Sequence, residues 1–232
     1  MAVHSSAVIG KNVVMGENVS VHEYAVVYDN VVIGEGSIVG PHAIVGHPLG
    51  GYFANDPSYV NAKTELGKGC IVRARSTIYC GVKFADGVRT GTAAVIRERC
   101  SFGKDSSIGT LVQVENDTVV GSRVSIETGS HVTAKMVIED DVFFGAHVVT
   151  TNDNKMLRPV DVKNGKTTVL KGPTIRRGTK LGSNCCVLPG IEIGDNCVIG
   201  AGAVVSRNIP PRSIAVGIPA RIIGQVGEED CV

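Results

Sequence analysis

Six histidines stand among the 232 residues of this chain, and imidazole is the side chain best matched to moving a proton near neutral pH. Two of them are placed for that chemistry. His131 immediately precedes Val132, and His147 lies one short apolar stretch before Thr151-Asn152-Asp153. For each, surface or interface packing is the competing reading. Anion binding is the second chemistry on offer, because Arg73, Arg75, Arg89, Arg97 and Arg99 share one central run and a guanidinium fork suits phosphate or carboxylate oxygens. A metal is not expected. His4 and His22 are eighteen residues apart and His42 and His47 five apart, yet neither pair has a third ligand at a matching spacing.

The spacing that positions these residues is six. Counting from Leu66, the column reads Leu66, Val72, Ile78, Phe84, Thr90, Ile96, Phe102, Ile108, Val114, Val120, Ile126, Val132, Ile138, Phe144 and Thr150, apolar except for two threonines. Two residues earlier the side chains are mostly small, from Cys70, Ser76 and Val82 to Val124 and Ser130. Helices repeat at 3.6 residues and half-buried strands at two, so a period of six maintained over eighty-odd residues fits neither alone. It predicts short strands, each offering one large and one small inward side chain, stacked into a parallel β-helix. Three hexapeptides make one triangular coil, and residues eighteen apart stack at roughly 4.8 Å. His131 then falls on an outward column with Thr77, Val95, Gln113 and Val149, while Tyr79, Arg97, Glu115 and Thr133 share a corner column in which Arg97 and Glu115 can pair.

The same period runs from Val3 to Val45, with glycine next in line at Gly10, Gly16, Gly34, Gly40 and Gly46, and again from Ile175 to Val205. Glycine there is expected to supply backbone angles that a Cβ would forbid. The count fails twice. We therefore expect a β-helix domain over 1-205 with insertions at 47-65 and 151-174, followed by a C-terminal cap and frayed acidic tail over 206-232, where Pro210, Pro211 and Pro219 cannot continue a central strand. The first insertion holds Tyr52, Asn55, Asp56 and Tyr59, and the second is expected to be a β-hairpin or flap with a turn at Asn164-Gly165.

Composition narrows the function further. A formal net charge of +1 argues against general nucleic-acid binding, and no apolar run reaches the length of a membrane span. The start, MAVHSSAVIGKNVV, does not read as a signal peptide. Of seven cysteines, Cys70, Cys100, Cys185 and Cys197 take the small inward position and no CxxC pair exists, which reads as reduced structural thiols in a cytoplasmic protein.

The columns of IG and VG corners, the run IGDNCVIGAGAVVSRNIPPRSIAVGIPAR from Ile193 to Arg221, and the two interruptions resemble the left-handed β-helix acyltransferases. Left-handedness is taken from that family. Within it, DDVFFGAHVVTTND from Asp140 to Asp153 is similar to the branch that N-acetylates nucleotide-linked amino sugars. The resemblance implies an acetyl-CoA-dependent N-acetyltransferase, a homotrimer with intersubunit active sites and a small-molecule substrate. It also implies that Ser183 and Ala201 line the coenzyme A groove and that Ser206, Arg207 and Arg221 lie near the nucleotide end of coenzyme A. Read from the residues themselves, Asn152, Asp153, Arg75 and Arg89 are expected to bind the substrate, and His131 or His147 to be the base. Several branches carry a histidine where this chain has Thr151-Asn152-Asp153, and many sugar acetyltransferases read TGH where it has Thr90-Gly91-Thr92. An O-acetyltransferase on a small sugar or serine, a zinc-dependent β-helix enzyme and a non-catalytic scaffold are the alternatives.

Overall fold

The structure is a computed structural model and describes residues 2–232. Strands of mostly two residues recur every six and pair in parallel with those eighteen away: Thr77 and Ile78 lie against Val95 and Ile96, these against Gln113 and Val114, and these against His131 and Val132. The ladders form three faces of twelve, ten and nine strands. They wind into a left-handed parallel β-helix. Strand alternation turns the hexapeptide's large and small residues inward, and every apolar member of the column from Leu66 to Phe144 is buried, with Phe84 and Phe102 meeting edge to face at 5.1 Å. Each such aliphatic side chain contributes at most about 1.5–3 kcal/mol, so a long thin core suffices without large aromatics.

The two threonines that interrupt the column are also buried, and the coil satisfies them. Thr90 Oγ1 accepts from Arg73 N at 3.0 Å and donates to Ser76 Oγ at 3.2 Å. Thr150 Oγ1 accepts from Thr133 N at 2.9 Å and donates to His131 O at 3.1 Å. A buried hydroxyl without such partners would cost about 1–3 kcal/mol. The inward cysteines behave as buried apolar groups, and burial pushes the thiol of Cys70 up to about 11 and those of Cys100 and Cys185 up to about 12.

Corner geometry differs from the sequence expectation. The left-handed backbone position comes three residues after the large inward residue, as at Asn12, Tyr24, His42 and His147, whereas of the five glycines directly after it only Gly46 has positive φ. The others are glycine because coils approach closely: a Cβ on Gly10 would lie 2.7 Å from Asp29 N, and one on Gly34 would lie 2.7 Å from Lys68 N.

Both insertions leave the ladder and rejoin it in register, since Ile33 pairs with Leu66 and Ile138 with Ile175. The first contains one helical turn, α1 (Gly50–Phe53). The second is not a β-hairpin but carries α2 (Pro159–Lys163), because Pro159 is preset for a first helical turn and the Asp161 carboxylate accepts from Arg158 N at 3.1 Å. Asn164 and Gly165 close that helix, with Gly165 at φ +78. After Val205 one more parallel strand, Ser213–Val216, pairs with Val198–Ile199, and Arg221–Gln225 turns back antiparallel upon it. The acidic end does not fray: Glu228–Asp230 is a 3-10 turn, Arg212 Nη1 lies 3.5 Å from Glu228, and Val232 N donates to Asn196 Oδ1 at 3.0 Å.

The buried Asp161 gives the second insertion an acid sensitivity. Its carboxylate accepts from the side chains of Arg158 at 2.9 Å and Lys166 at 2.8 Å, and these bonds, with the Arg158 backbone N–H, bring its pKa down to about 2. A carboxyl with a folded pKa below its unfolded value contributes stability that is complete above the ordinary carboxylate range and is lost as pH falls through the folded value. Pepsin cleavage within 151–174 is therefore expected to rise between about pH 4 and pH 2. Asp161→Asn should abolish that rise and leave the segment cleavable at higher pH as well.

Candidate active site

The strand Val149–Thr150 delivers the chain to the base of the second insertion. There Thr151 N donates to Val187 O at 3.1 Å and Lys171 N to Asn152 O at 2.9 Å, so the insertion's two ends are pinned together. Beside this pin lies a cavity of about 450 Å³, and His131, Thr133, Asn152, Asp153, Met156 and Leu188 are among its walls. His131 projects outward from the ten-stranded face between Gln113 and Val149 and is half-buried. Asp153 Oδ1 accepts from Lys155 N at 2.8 Å and Thr168 Oγ1 at 3.1 Å, and the Lys155 backbone bond in particular holds its pKa below the usual carboxylate value. The cavity thus combines an imidazole, an ionised carboxylate and an amide against an apolar wall. That set can hold a polar ligand and take a proton from it.

His147 lies outside this cavity. It occupies the left-handed corner position between the twelve- and ten-stranded faces at φ 57, and its ring lies over the preceding coil, where a Cβ on Gly129 would stand 2.5 Å from its Nδ1. Asn184 and Gly202 continue its column, and Ser183 and Ala201 lie one residue earlier, stacked in line with Ala146. Asn184 N donates to Ala146 O at 2.9 Å, and Gly202 N to Ser183 O at 2.9 Å. A Cβ on Gly145 would lie 2.6 Å from Ser183 N, so the coils approach closely here, and half-buried Ser183 and exposed Ala201 leave a strip of small side chains along this corner. Ser206 follows the strand Val204–Val205, and Arg207 and Arg221 are both exposed.

The remaining sequence candidates are dispersed. Arg75 occupies the corner column of His147 but, like Thr77, lies three coils below His131, roughly 14 Å along the axis. Arg89 projects from the twelve-stranded face between Ile71 and Ser107. Arg99 is not free, since its guanidinium forms a fork with Asp117 at 2.5 and 3.0 Å. Arg97 does meet Glu115 at 3.5 Å, but its nearer partner is the adjacent Glu98 at 2.8 Å, and it also lies over the Tyr79 ring at 5.1 Å. His4 and His22 each stand about 4 Å from the Glu23 carboxylate, at 4.0 and 3.9 Å. Among the described residues no three potential ligands gather around a metal-sized space.

Sequence counting missed several cavity walls. Thr133 was within reach as the end of the Arg97–Glu115 column, and Leu188 as the residue following a strand that pairs with Val149–Thr150. Met156 had no signal, because it lies inside an insertion where no repeat fixes its place.

Residues 12–47 and 172–207 match the bacterial transferase hexapeptide family, described as six repeats. The two matched stretches make up about a third of the chain and carry the hexapeptide repeat of that family. The serine acetyltransferase of Salmonella typhimurium is 37% identical over 89 residues, 38% of this chain and 33% of that protein. The galactoside O-acetyltransferase of Escherichia coli is 40% identical over 57 residues, 25% of this chain and 28% of that one. This hexapeptide-repeat chain therefore spans about a third of the length of the curated relatives it matches. Among solved structures, the UDP-N-acetylglucosamine acyltransferase of Francisella novicida shares the fold over 98% of this chain and 71% of its own, at 18% identity and a TM-score of 0.55. No helix among the described residues is long and apolar enough to cross a membrane.

Proposed function

We propose that this chain is an acetyl-CoA-dependent acyltransferase that acetylates the amino group of a nucleotide-linked amino sugar. The observation that carries the reading is the cavity at the base of the second insertion, which gathers His131, Asn152 and Asp153. The corner strip of Ser183 and Ala201 supports it, because small side chains there leave room for the extended pantetheine arm of the donor. Arg207 and Arg221, both exposed, would meet its phosphates through charge-assisted hydrogen bonds.

Acetyl-CoA supplies the activated acyl group, and the chain's own residues do the rest. Asn152 and Asp153 hold the sugar so that its nitrogen points along the ten-stranded face. His131 takes the proton that the amine must lose as it is acylated. Fixing acceptor and donor on adjoining parts of one rigid ladder supplies proximity that free solution does not. The homotrimer belongs to the same proposal. Its support is the outward apolar side chains left exposed on a single chain, Val119 and Val137 side by side on the nine-stranded face, Phe143 on the twelve-stranded face and Val149 on the ten-stranded one, which neighbouring copies would cover.

O-acetylation of a sugar hydroxyl is the second reading, favoured by the named activity of the galactoside O-acetyltransferase among the sequence relatives. A hydroxyl needs a base more than a free amine does. Free thiol release from acetyl-CoA, followed with a panel of nucleotide-linked amino sugars beside galactosides and serine, separates the two. Turnover with an aminated nucleotide sugar is expected. Turnover with alcohols alone would overturn N-transfer in favour of the second reading.

A further inference from the structure

The first insertion encloses a cavity that the proposed acyl transfer does not use. It measures about 400 Å³ and is walled by Tyr28, Tyr52 and Tyr59, with Asp29, Asn12 and Lys11 at its polar side. Tyr28 and Tyr52 meet edge to face at 6.0 Å, and Tyr52 and Tyr59 lie 6.3 Å apart at 69°. Tyr59 is locked: its hydroxyl accepts from Leu49 N at 2.9 Å and donates to Asn61 Oδ1 at 2.9 Å, while Asn61 Nδ2 donates to Gly46 O at 2.7 Å. One oxygen of Asp29 accepts from Lys11 N at 2.7 Å, which orients the carboxylate and leaves its other oxygen for a ligand. Burial and the neighbouring Tyr52 phenol push the Tyr28 hydroxyl's pKa up.

We propose that this cavity is a binding site for a neutral pyranose ring, separate from the acyl-transfer cavity. Aromatic faces fixed in the walls of a small cavity receive the C–H face of a sugar, and a carboxylate beside phenol hydroxyls receives its vicinal hydroxyls. Charge selects against a phosphorylated ligand. Lys11 is the cavity's one cationic side chain and Asp29 opposes it, so a phosphate would gain no guanidinium fork and would face a carboxylate. The site also lies well away from His131. Val27, next to Tyr28, is separated from Val132 by five strand steps along the ten-stranded face, roughly 24 Å. The inference is therefore independent of the proposed reaction.

The chain has no tryptophan, and four of its five tyrosines, Tyr28, Tyr52, Tyr59 and Tyr79, lie in the aromatic cluster around this insertion. Tyrosine emission consequently reports on the site. Titration of the full chain with maltose, cellobiose, lactose and N,N′-diacetylchitobiose is expected to give a saturable change with at least one of them. Affinity should fall about ten-fold or more, about 1.4 kcal/mol, in Tyr52→Ala and in Asp29→Asn, and stay unchanged in Asn152→Ala. Tyr52 is half exposed, so its removal leaves the coil intact, and matching melting curves would verify this. No saturable change up to about 10 mM of any disaccharide, an undiminished change in Tyr52→Ala, or loss of binding in Asn152→Ala would each overturn the assignment.

Discussion

His131→Ala is expected to lower kcat for acetyl transfer by about a hundred- to ten-thousand-fold, the range that a positioned general base supplies. The KM for the acceptor should change little, because Asn152 and Asp153 hold the sugar whether or not the imidazole is present. The acidic limb of the kcat profile, where a base becomes protonated, should disappear with the side chain. His147→Ala serves as the comparison. Its ring lies over the corner at Gly129, outside the acceptor cavity, so a change of less than about ten-fold is expected there. The reverse pattern, full activity in His131→Ala and a large loss in His147→Ala, would move the base to the corner occupied by Ser183 and Ala201. If each variant kept the parent kcat and pH profile, neither histidine would be the base, and substrate or leaving thiolate would have to take the proton.

That prediction rests on one residue whose outward direction was legible from counting alone. Eighteen-residue stacking is a consequence of strand spacing and triangular winding, so it placed His131 beside Gln113 and Val149, paired Arg97 with Glu115 and buried the inward cysteines. The same arithmetic stops wherever side chains choose among several partners. Arg97 prefers Glu98, which sits beside it on the same strand end, and Arg99 turns to Asp117 on the next coil; both choices depend on rotamers at a corner. The insertions were least legible. α2 arises from Pro159 and the carboxylate of Asp161, short-range effects that a six-residue count ignores, and the first insertion's cavity arises from aromatic rings brought together from Tyr28 to Tyr59 across a break in register.

The threonines show how the polar site and the core depend on one another. Thr150 stands where the column should be apolar, one residue before the Thr151-Asn152-Asp153 segment that leaves the ladder. Its hydroxyl ties Thr133 N on one coil to the coil end that launches the insertion. An aliphatic residue there would fill the core equally well and leave Thr133 N, itself beside the cavity, unsatisfied. The break in hydrophobic pattern is thus the point where the core hands over to the site.

The largest effect on stability is expected one hexapeptide earlier, at Phe144. It is fully buried, whereas Phe143 directly before it on the same two-residue strand is 42% exposed. Phe144→Ala should cost about 3–5 kcal/mol, combining lost transfer energy with a cavity that the surrounding ladder cannot close, because Ile126 and Leu181 are held at strand spacing by backbone pairing. For a protein whose total stability is about 5–15 kcal/mol, such a loss is a large fraction, and it is read from denaturant unfolding. Phe143→Ala leaves the inner packing intact. On a single chain it should cost within about 0.5 kcal/mol, but where copies of the chain cover that face the loss becomes larger and depends on protein concentration. Equal and concentration-independent losses in the two variants would contradict the strand alternation on which both the fold and the outward placement of His131 rest.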